Sequence, residues 1–168
     1  MGNRKNKPTL FVTIGAPGSG KSYLAERLCK EYGLFHLRSD EIRKYIFPNP
    51  AYSPEENIRL FSLLDFLAEK LIATGVGIIY DANFTLRAYR MKLQKIAKKY
   101  KTKYAVLWIQ TPLAIAIKRA KTRKYHQVGK KVVMGLHNEI ELPKNEPVIV
   151  IDGTKPYRVQ KVLLAKYL

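Results

Sequence analysis

The octapeptide GAPGSGKS at residues 15–22 constrains this chain more than any other stretch. Its spacing, Gly15-x4-Gly20-Lys21-Ser22, is the phosphate-binding loop pattern, in which backbone N–H groups converge on phosphate oxygens. Glycines permit the tight turn, and the N-terminus of a following helix favours negative charge. The flanks agree. Leu10–Ile14, behind Pro8, reads as a buried strand, and Leu24, Ala25, Leu28 and Cys29 recur at helical spacing. Strand, glycine turn and helix predict a nucleoside triphosphate, ATP by preference, cradled by Gly15, Ala16, Pro17, Gly18, Ser19, Gly20, Lys21, Ser22 and Tyr23. Lys21 is placed to reach the β- and γ-phosphates, and the Ser22 hydroxyl to ligate Mg²⁺. The competing explanation, a chance glycine turn before a helix, does not account for the lysine and serine together.

Beyond the loop, strand-like runs alternate with helical ones, the pattern of an α/β domain with a parallel sheet. Leu34–Leu37, Ile78–Tyr80, Ala105–Ile109 and Val148–Ile151 supply four further strands, giving five. A brief helix from Ser39 ends before Pro48. The next opens at Ser53-Pro54-Glu55-Glu56, with a capping serine, proline in the first position and a capping-box glutamate. Its apolar face is expected to be Ile58, Phe61, Leu64, Leu67 and Leu71. The following helix should bury Leu86, Tyr89, Leu93, Ile96 and Tyr100, and turn Arg87, Arg90, Lys92, Lys95, Lys98 and Lys99 to solvent. Thr111-Pro112 starts a helix to about Thr122, and a last helix follows Pro156. At 46% hydrophobic residues, 168 residues suffice for one core, and no linker or repeat divides them. The expected organisation is a single domain over 1–168, with a basic N-terminal tail at 1–8 and a lid at about 119–131.

Composition excludes several classes. No apolar run approaches a membrane span, and MGNRKNKP lacks the apolar segment of a secretory signal, so a cytoplasmic location without membrane association is expected. The single Cys29 permits no internal disulfide, and His36, His126 and His137 show no ligand spacing. The net charge of +18 is uneven. From Ala82 to Asn138 there is no Asp or Glu but fifteen Lys and Arg, whereas the segments before and after sum to +2 and +1. Such a block fits a polyanionic partner, nucleic acid first, or a solvated basic face. Nothing in the sequence calls for an obligate protein partner.

Three constellations carry candidate chemistry. Asp81 ends an apolar strand, where an acid can hold Mg²⁺, although an ordinary turn aspartate before Asn83 also fits. In RSDEIR, residues 38–43, Ser39 caps a helix and sets Asp40 and Arg43 one turn apart beside the ligand crevice of such folds. Asp40 could take a hydroxyl proton while Arg43 orients an anionic acceptor; an exposed i, i+3 ion pair is the alternative. Arg119 and Arg123, four apart on one helix face, could bring positive charge to a migrating phosphoryl group, or be two more solvated cations. Tyr45, Phe47 and Tyr52 could stack nucleobases, but aromatics of this kind more often pin a loop to the core.

Taken together, GAPGSGKS, SDEIR after the second strand, YDAN ending the third, and Arg119 with Arg123 resemble the P-loop kinase branch that includes the kinase domains of polynucleotide 5′-hydroxyl kinases. The resemblance runs from about Leu10 to Asp152. It implies a nucleoside-kinase-like P-loop NTPase fold with a basic lid. It further implies Asp40 as general base, Arg43 as a contact to the acceptor's phosphate, and Asp81 and Asn83 on the acceptor or metal side. Arg119 and Arg123 would then be lid arginines on the donor phosphates. ELPKNE, residues 141–146, resembles an acidic-proline stretch common in these kinases. The implied activity is transfer of the ATP γ-phosphate to a 5′-hydroxyl of RNA or DNA, with Mg²⁺. A kinase for a small metabolite, nucleoside or sugar keeps the same residues without a basic groove, and an NTP-driven switch stands third.

Overall fold

The computed structural model describes residues 8–122 and 127–168, so Arg123 and His126 lie outside the described residues. Strand β1 (Thr9–Ile14) is buried along its whole length, as apolar strands flanked on both sides and both faces are. It lies between β3 (Ile78–Asp81) and β4 (Lys103–Gln110), with β2 (Phe35–Arg38) outside β3 and β5 (Val148–Asp152) outside β4. All four pairings in the order β2-β3-β1-β4-β5 are parallel. The five expected strands form in their places. The chain runs to one side of β1 for β2 and β3 and to the other for β4 and β5. A crevice therefore opens beyond the C-terminal end of β1, the switch point where such sheets bind ligands.

Helix α1 (Lys21–Tyr32) covers one face, packing Leu24, Ala25 and Leu28 on Phe11, Ile79, Leu107 and Ile109. On the other face, α3 (Pro54–Ala73) and α4 (Arg87–Lys99) close over Leu10, Val12, Tyr80 and Val106. The α3 start is built as its sequence predicts: Ser53 Oγ accepts a hydrogen bond from the Glu56 N–H at 3.2 Å, and Pro54 takes the first turn. Its buried ridge, however, is Glu56, Leu60, Leu64, Ala68 and Ile72. Ile58 stands 65% exposed, and Phe61, Leu67 and Leu71 are only partly buried. The smaller Ala68 lets the helix approach, and the i, i+4 ridge places Glu56 under α2 (Ser39–Ile46), where a cation needs it.

Helix α4 departs further. Leu86 and Tyr89 are exposed, whereas Arg90, expected on the solvent side, is completely buried beside Leu93 and Ala97. Its Nε donates to Glu146 Oε2 at 2.9 Å, Nη1 to the carbonyls of Phe84 and Thr85, both at 2.9 Å, and Nη2 to Glu141 O at 2.9 Å. Thus ELPKNE acquires a physical role as the pocket that satisfies Arg90. The rest of the basic block is also divided. Lys92 pairs with Asp65 at 2.6 Å and Lys99 with Glu69 at 2.7 Å, both partners on α3. Because α4 starts just after β3 and ends just before β4, its last turn, with Lys98 and Lys99, lies at the end of the sheet away from the crevice.

After α5 (Leu113–Lys121), helix α6 (Lys130–Asn138) continues past the expected lid and packs Val133 against Ala120 and Ala16. The final helix is a single turn, α7 (Tyr157–Gln160), running on as a 3₁₀ turn that buries Leu164. Among the described residues no helix is long and apolar enough to cross a membrane.

Candidate active site

The glycine-rich loop joins β1 to α1 over the crevice. Gly18 sits at φ +85°, and a Cβ there would lie 2.1 Å from the Ala116 carbonyl oxygen of α5. Gly153, just past β5, presses on the loop from another side: a Cβ would meet Ser19 O and Thr111 Oγ1, each at 2.2 Å. Thr111 Oγ1 in turn donates to Ser19 O at 2.8 Å. The loop is thereby clamped between the ends of β4 and β5, its shape set before any ligand enters. Ser19 Oγ is buried with no hydrogen-bond partner. A cavity of about 920 Å³ extends from Gly15, Ala16 and Ser19 past Thr111 to Asp152 and Thr154, large enough for a nucleotide.

Lys21 is only 7% exposed, and its ammonium donates to the carbonyls of Gly15 at 2.6 Å and Ala16 at 3.1 Å. Its charge therefore lies along the loop, where phosphate oxygens would compete for it. Tyr23 points outward, its ring 4.7 Å beneath the Arg27 guanidinium, so any share in the cradle belongs to its backbone.

Asp81 ends β3 below the loop and is 4% exposed. Thr13 Oγ1 donates to Oδ1 at 3.2 Å, His36 Nε2 lies 3.1 Å from Oδ2, and the Ser22 hydroxyl donates to the same carboxylate. Burial pushes this carboxyl up, but the hydrogen bonds from His36 and Ser22 and the charge of Lys21 outweigh it and hold Asp81 below the usual range. It is a carboxylate at neutral pH. Ser22 and Asp81 set two hard oxygens side by side at the rim of the loop. Mg²⁺ takes few protein oxygens and completes its shell with water and phosphate, so this donor set fits it.

Asp40 is exposed in the first turn of α2. Burial and the nearby Asp40 carboxylate together push the Tyr52 hydroxyl up. Arg43 does not pair with Asp40. It is 5% exposed, hydrogen-bonded to the Glu56 carboxylate and, at 2.6 Å, to Asn57 Oδ1, and its guanidinium lies 4.7 Å from the Tyr52 ring. Asn83 Oδ1 is buried without a partner. Arg119 reaches across from α5 to donate to Gly153 O at 2.9 Å, on the side of the loop opposite β2. Of the three aromatics, Phe47 packs on the core, Tyr52 lies against Arg43, and Tyr45 is 91% exposed.

The site also contains groups the motif reading missed. Thr13 carried a faint signal, a hydroxyl in an apolar strand. His36 carried none, because only the β2–β3 pairing brings it to Asp81. Gly153 and Thr111 act through close approach, which no spacing reveals.

Comparison with known proteins agrees with this geometry. Residues 10–143 match the family model described as an AAA domain. The chain is 25% identical over 164 residues to the mitochondrial GTP:AMP phosphotransferase of Drosophila melanogaster, covering 90% of this chain and 76% of that protein. It is 24% identical over 164 residues to the L-seryl-tRNA(Sec) kinase of Methanococcus maripaludis, covering 92% of this chain and 63% of that protein's length. In structure it is similar to a chain of the Pnkp1/Rnl/Hen1 RNA repair complex, with a TM-score of 0.69, 22% identity, and coverage of 82% of this chain and 45% of that one. That likeness is one of fold.

Proposed function

We infer that this chain, which belongs to the AAA-domain family and has the P-loop kinase fold, transfers the γ-phosphate of ATP to a hydroxyl group. One observation carries the reading: an ionised, buried Asp81 held by Thr13, His36 and Ser22 stands beneath a preformed phosphate loop, with Asp40 open one strand away.

In this reading Asp40 receives the proton of the acceptor hydroxyl as its oxygen attacks in line. Lys21 leaves the carbonyls of Gly15 and Ala16 for the phosphates, and Arg119, with Arg123 beyond it, adds charge at the migrating group. Ser22 and Asp81 would hold Mg²⁺, which neutralises phosphate charge when bound. The clamp of Thr111 and Gly153 on Ser19 keeps the loop's N–H groups aimed, so little reorganisation is needed at transfer.

The acceptor we favour is the 5′-hydroxyl end of RNA or DNA. The excess charge supports it, as do the exposed cations Lys118, Lys121, Lys130 and Lys131 flanking the crevice on α5 and α6. Likeness to a kinase acting on a seryl-tRNA points the same way. A small-molecule acceptor is favoured by a different observation: Arg90, Lys92 and Lys99, part of the basic block, are paired within the fold and offer no groove to a strand.

The test is transfer of labelled γ-phosphate to 5′-hydroxyl oligonucleotides of RNA and DNA, beside a panel of nucleosides, sugars and sugar acids. Labelled oligonucleotide, lost in Lys21→Ala and in Asp40→Ala while Asp40→Ala still binds ATP, is the expected result. A labelled small molecule alone would retire the polynucleotide acceptor, and hydrolysis with no acceptor labelled would retire the kinase.

A further inference from the structure

In the resemblance described above, the acceptor's phosphate would be met by Arg43. Here that guanidinium is held by Glu56, Asn57 and Tyr52 and is nearly excluded from solvent. Releasing it would leave Glu56, itself 8% exposed, without its counter-charge. An anionic acceptor therefore needs another cation.

Arg38 has the position and the free valence. It ends β2, its Cα in register with Asp81 on β3, and side chains two apart on a strand share a face, so it follows His36 along the face on which Asp81 is held. Asp40 comes two residues later in the chain. Arg38 is half-buried, its Nε is fully buried with no hydrogen-bond partner, and among the described residues it makes no ion pair. Asn83, just beyond the end of β3, also has a buried side-chain oxygen without a partner. Buried polar atoms left unmatched are uncommon and costly, and two at neighbouring strand ends mark a surface built for a polar ligand. The planar fork of a guanidinium matches phosphate oxygens in pairs.

We propose that Arg38 binds a phosphate adjoining the reacting hydroxyl of the acceptor, and so selects phosphate-bearing acceptors over neutral ones. This rests on the kinase reading above. For a strand with a free 5′-hydroxyl, the phosphate is the one on the 3′ side of the terminal nucleotide; for a small acceptor, it is a phosphate ester on the same molecule.

The experiment compares matched acceptors with ATP and Mg²⁺: a nucleoside against its 3′-phosphate, and a sugar against its phosphate ester. The wild-type chain should prefer the phosphate-bearing member. Arg38→Gln should raise its KM about 10- to 100-fold, with kcat little changed and the neutral acceptor unaffected. Arg38→Lys should recover part of the loss, and thermal stability should stay as in wild type, since no internal partner is removed. A preference confined to the sugar phosphate and abolished by Arg38→Gln would retire the polynucleotide acceptor and keep the role of Arg38. A preference for the nucleoside 3′-phosphate that survives Arg38→Gln would do the reverse. Binding supplies a readout independent of turnover: nucleoside 3′-phosphate and sugar phosphate are titrated calorimetrically into chain saturated with a non-hydrolysable ATP analogue. Binding lost in Arg38→Gln upholds the proposal. Equal binding by both, or none by wild type, overturns it.

Discussion

Replacing Arg90 by leucine separates a basic face from a buried structural cation. Arg90 is 0% exposed, and Glu146, its partner at 2.9 Å, has a side chain only 1% exposed. Leucine fills part of the volume but leaves Glu146 as an uncompensated buried charge and strips the carbonyls of Phe84, Thr85 and Glu141 of their donor. Breaking a buried pair from one side costs about 3–5 kcal/mol, a large part of the roughly 5–15 kcal/mol that holds a domain folded. At about 2–4 °C per kcal/mol for a chain of this size, Tm should fall by about 6–20 °C. Thermal unfolding followed by circular dichroism reads the shift, with Lys95→Ala on the exposed side of α4 as the control that should not move. Arg90→Leu combined with Glu146→Leu should recover part of the loss, because two apolar side chains replace the pair. A shift under about 2 °C for Arg90→Leu, or a loss of nucleic-acid affinity with unchanged Tm, would refute the buried-pair argument.

Gly153→Ala should weaken ATP binding at least about tenfold, since its methyl group would sit 2.2 Å from Ser19 O and displace the loop; unaltered affinity by calorimetry would show the clamp to be dispensable. Glu56 gives a pH signature. Burial pushes its carboxyl up, but hydrogen bonds from Arg43 and from the Ala51 and Tyr52 N–H groups outweigh it, so the folded-state pKa lies below the usual value. The stabilisation is therefore complete above the unfolded-state pKa of about 4.3 and is lost as pH falls through the folded-state value. Glu56→Gln should be less stable than wild type at neutral pH, with the gap in denaturant midpoint closing on acidification; a gap that widens toward acid would reverse the sign of the linkage.

The local signals were legible wherever the chain had to satisfy itself. GAPGSGKS between an apolar strand and a periodic helix predicts the loop, and Ser53-Pro54-x-Glu56 predicts the start of α3, because caps and glycine turns are settled within a few residues. Helix faces were less legible. In α3 and α4 the apolar positions span more than one stripe, and the chosen ridge depends on what lies opposite: Ala68 where the helix meets the sheet, Glu146 where α4 meets the last loop before β5. Asp81 was visible as a strand-end acid, but not the His36 contact that helps keep it ionised.

Charge shows the division most plainly. Composition by itself determined that the chain carries +18 and that its middle third holds no acid. Which of those cations face a ligand was decided by long-range pairing: Glu146 takes Arg90, Asp65 takes Lys92, Glu69 takes Lys99, and Glu56 takes Arg43, leaving Arg38 without a partner beside the site. A sequence specifies how many charges a chain must accommodate and where turns and strands begin. Whether a given charge meets solvent, a carboxylate or a ligand depends on groups distant along the chain, and only the folded packing brings those within hydrogen-bonding reach.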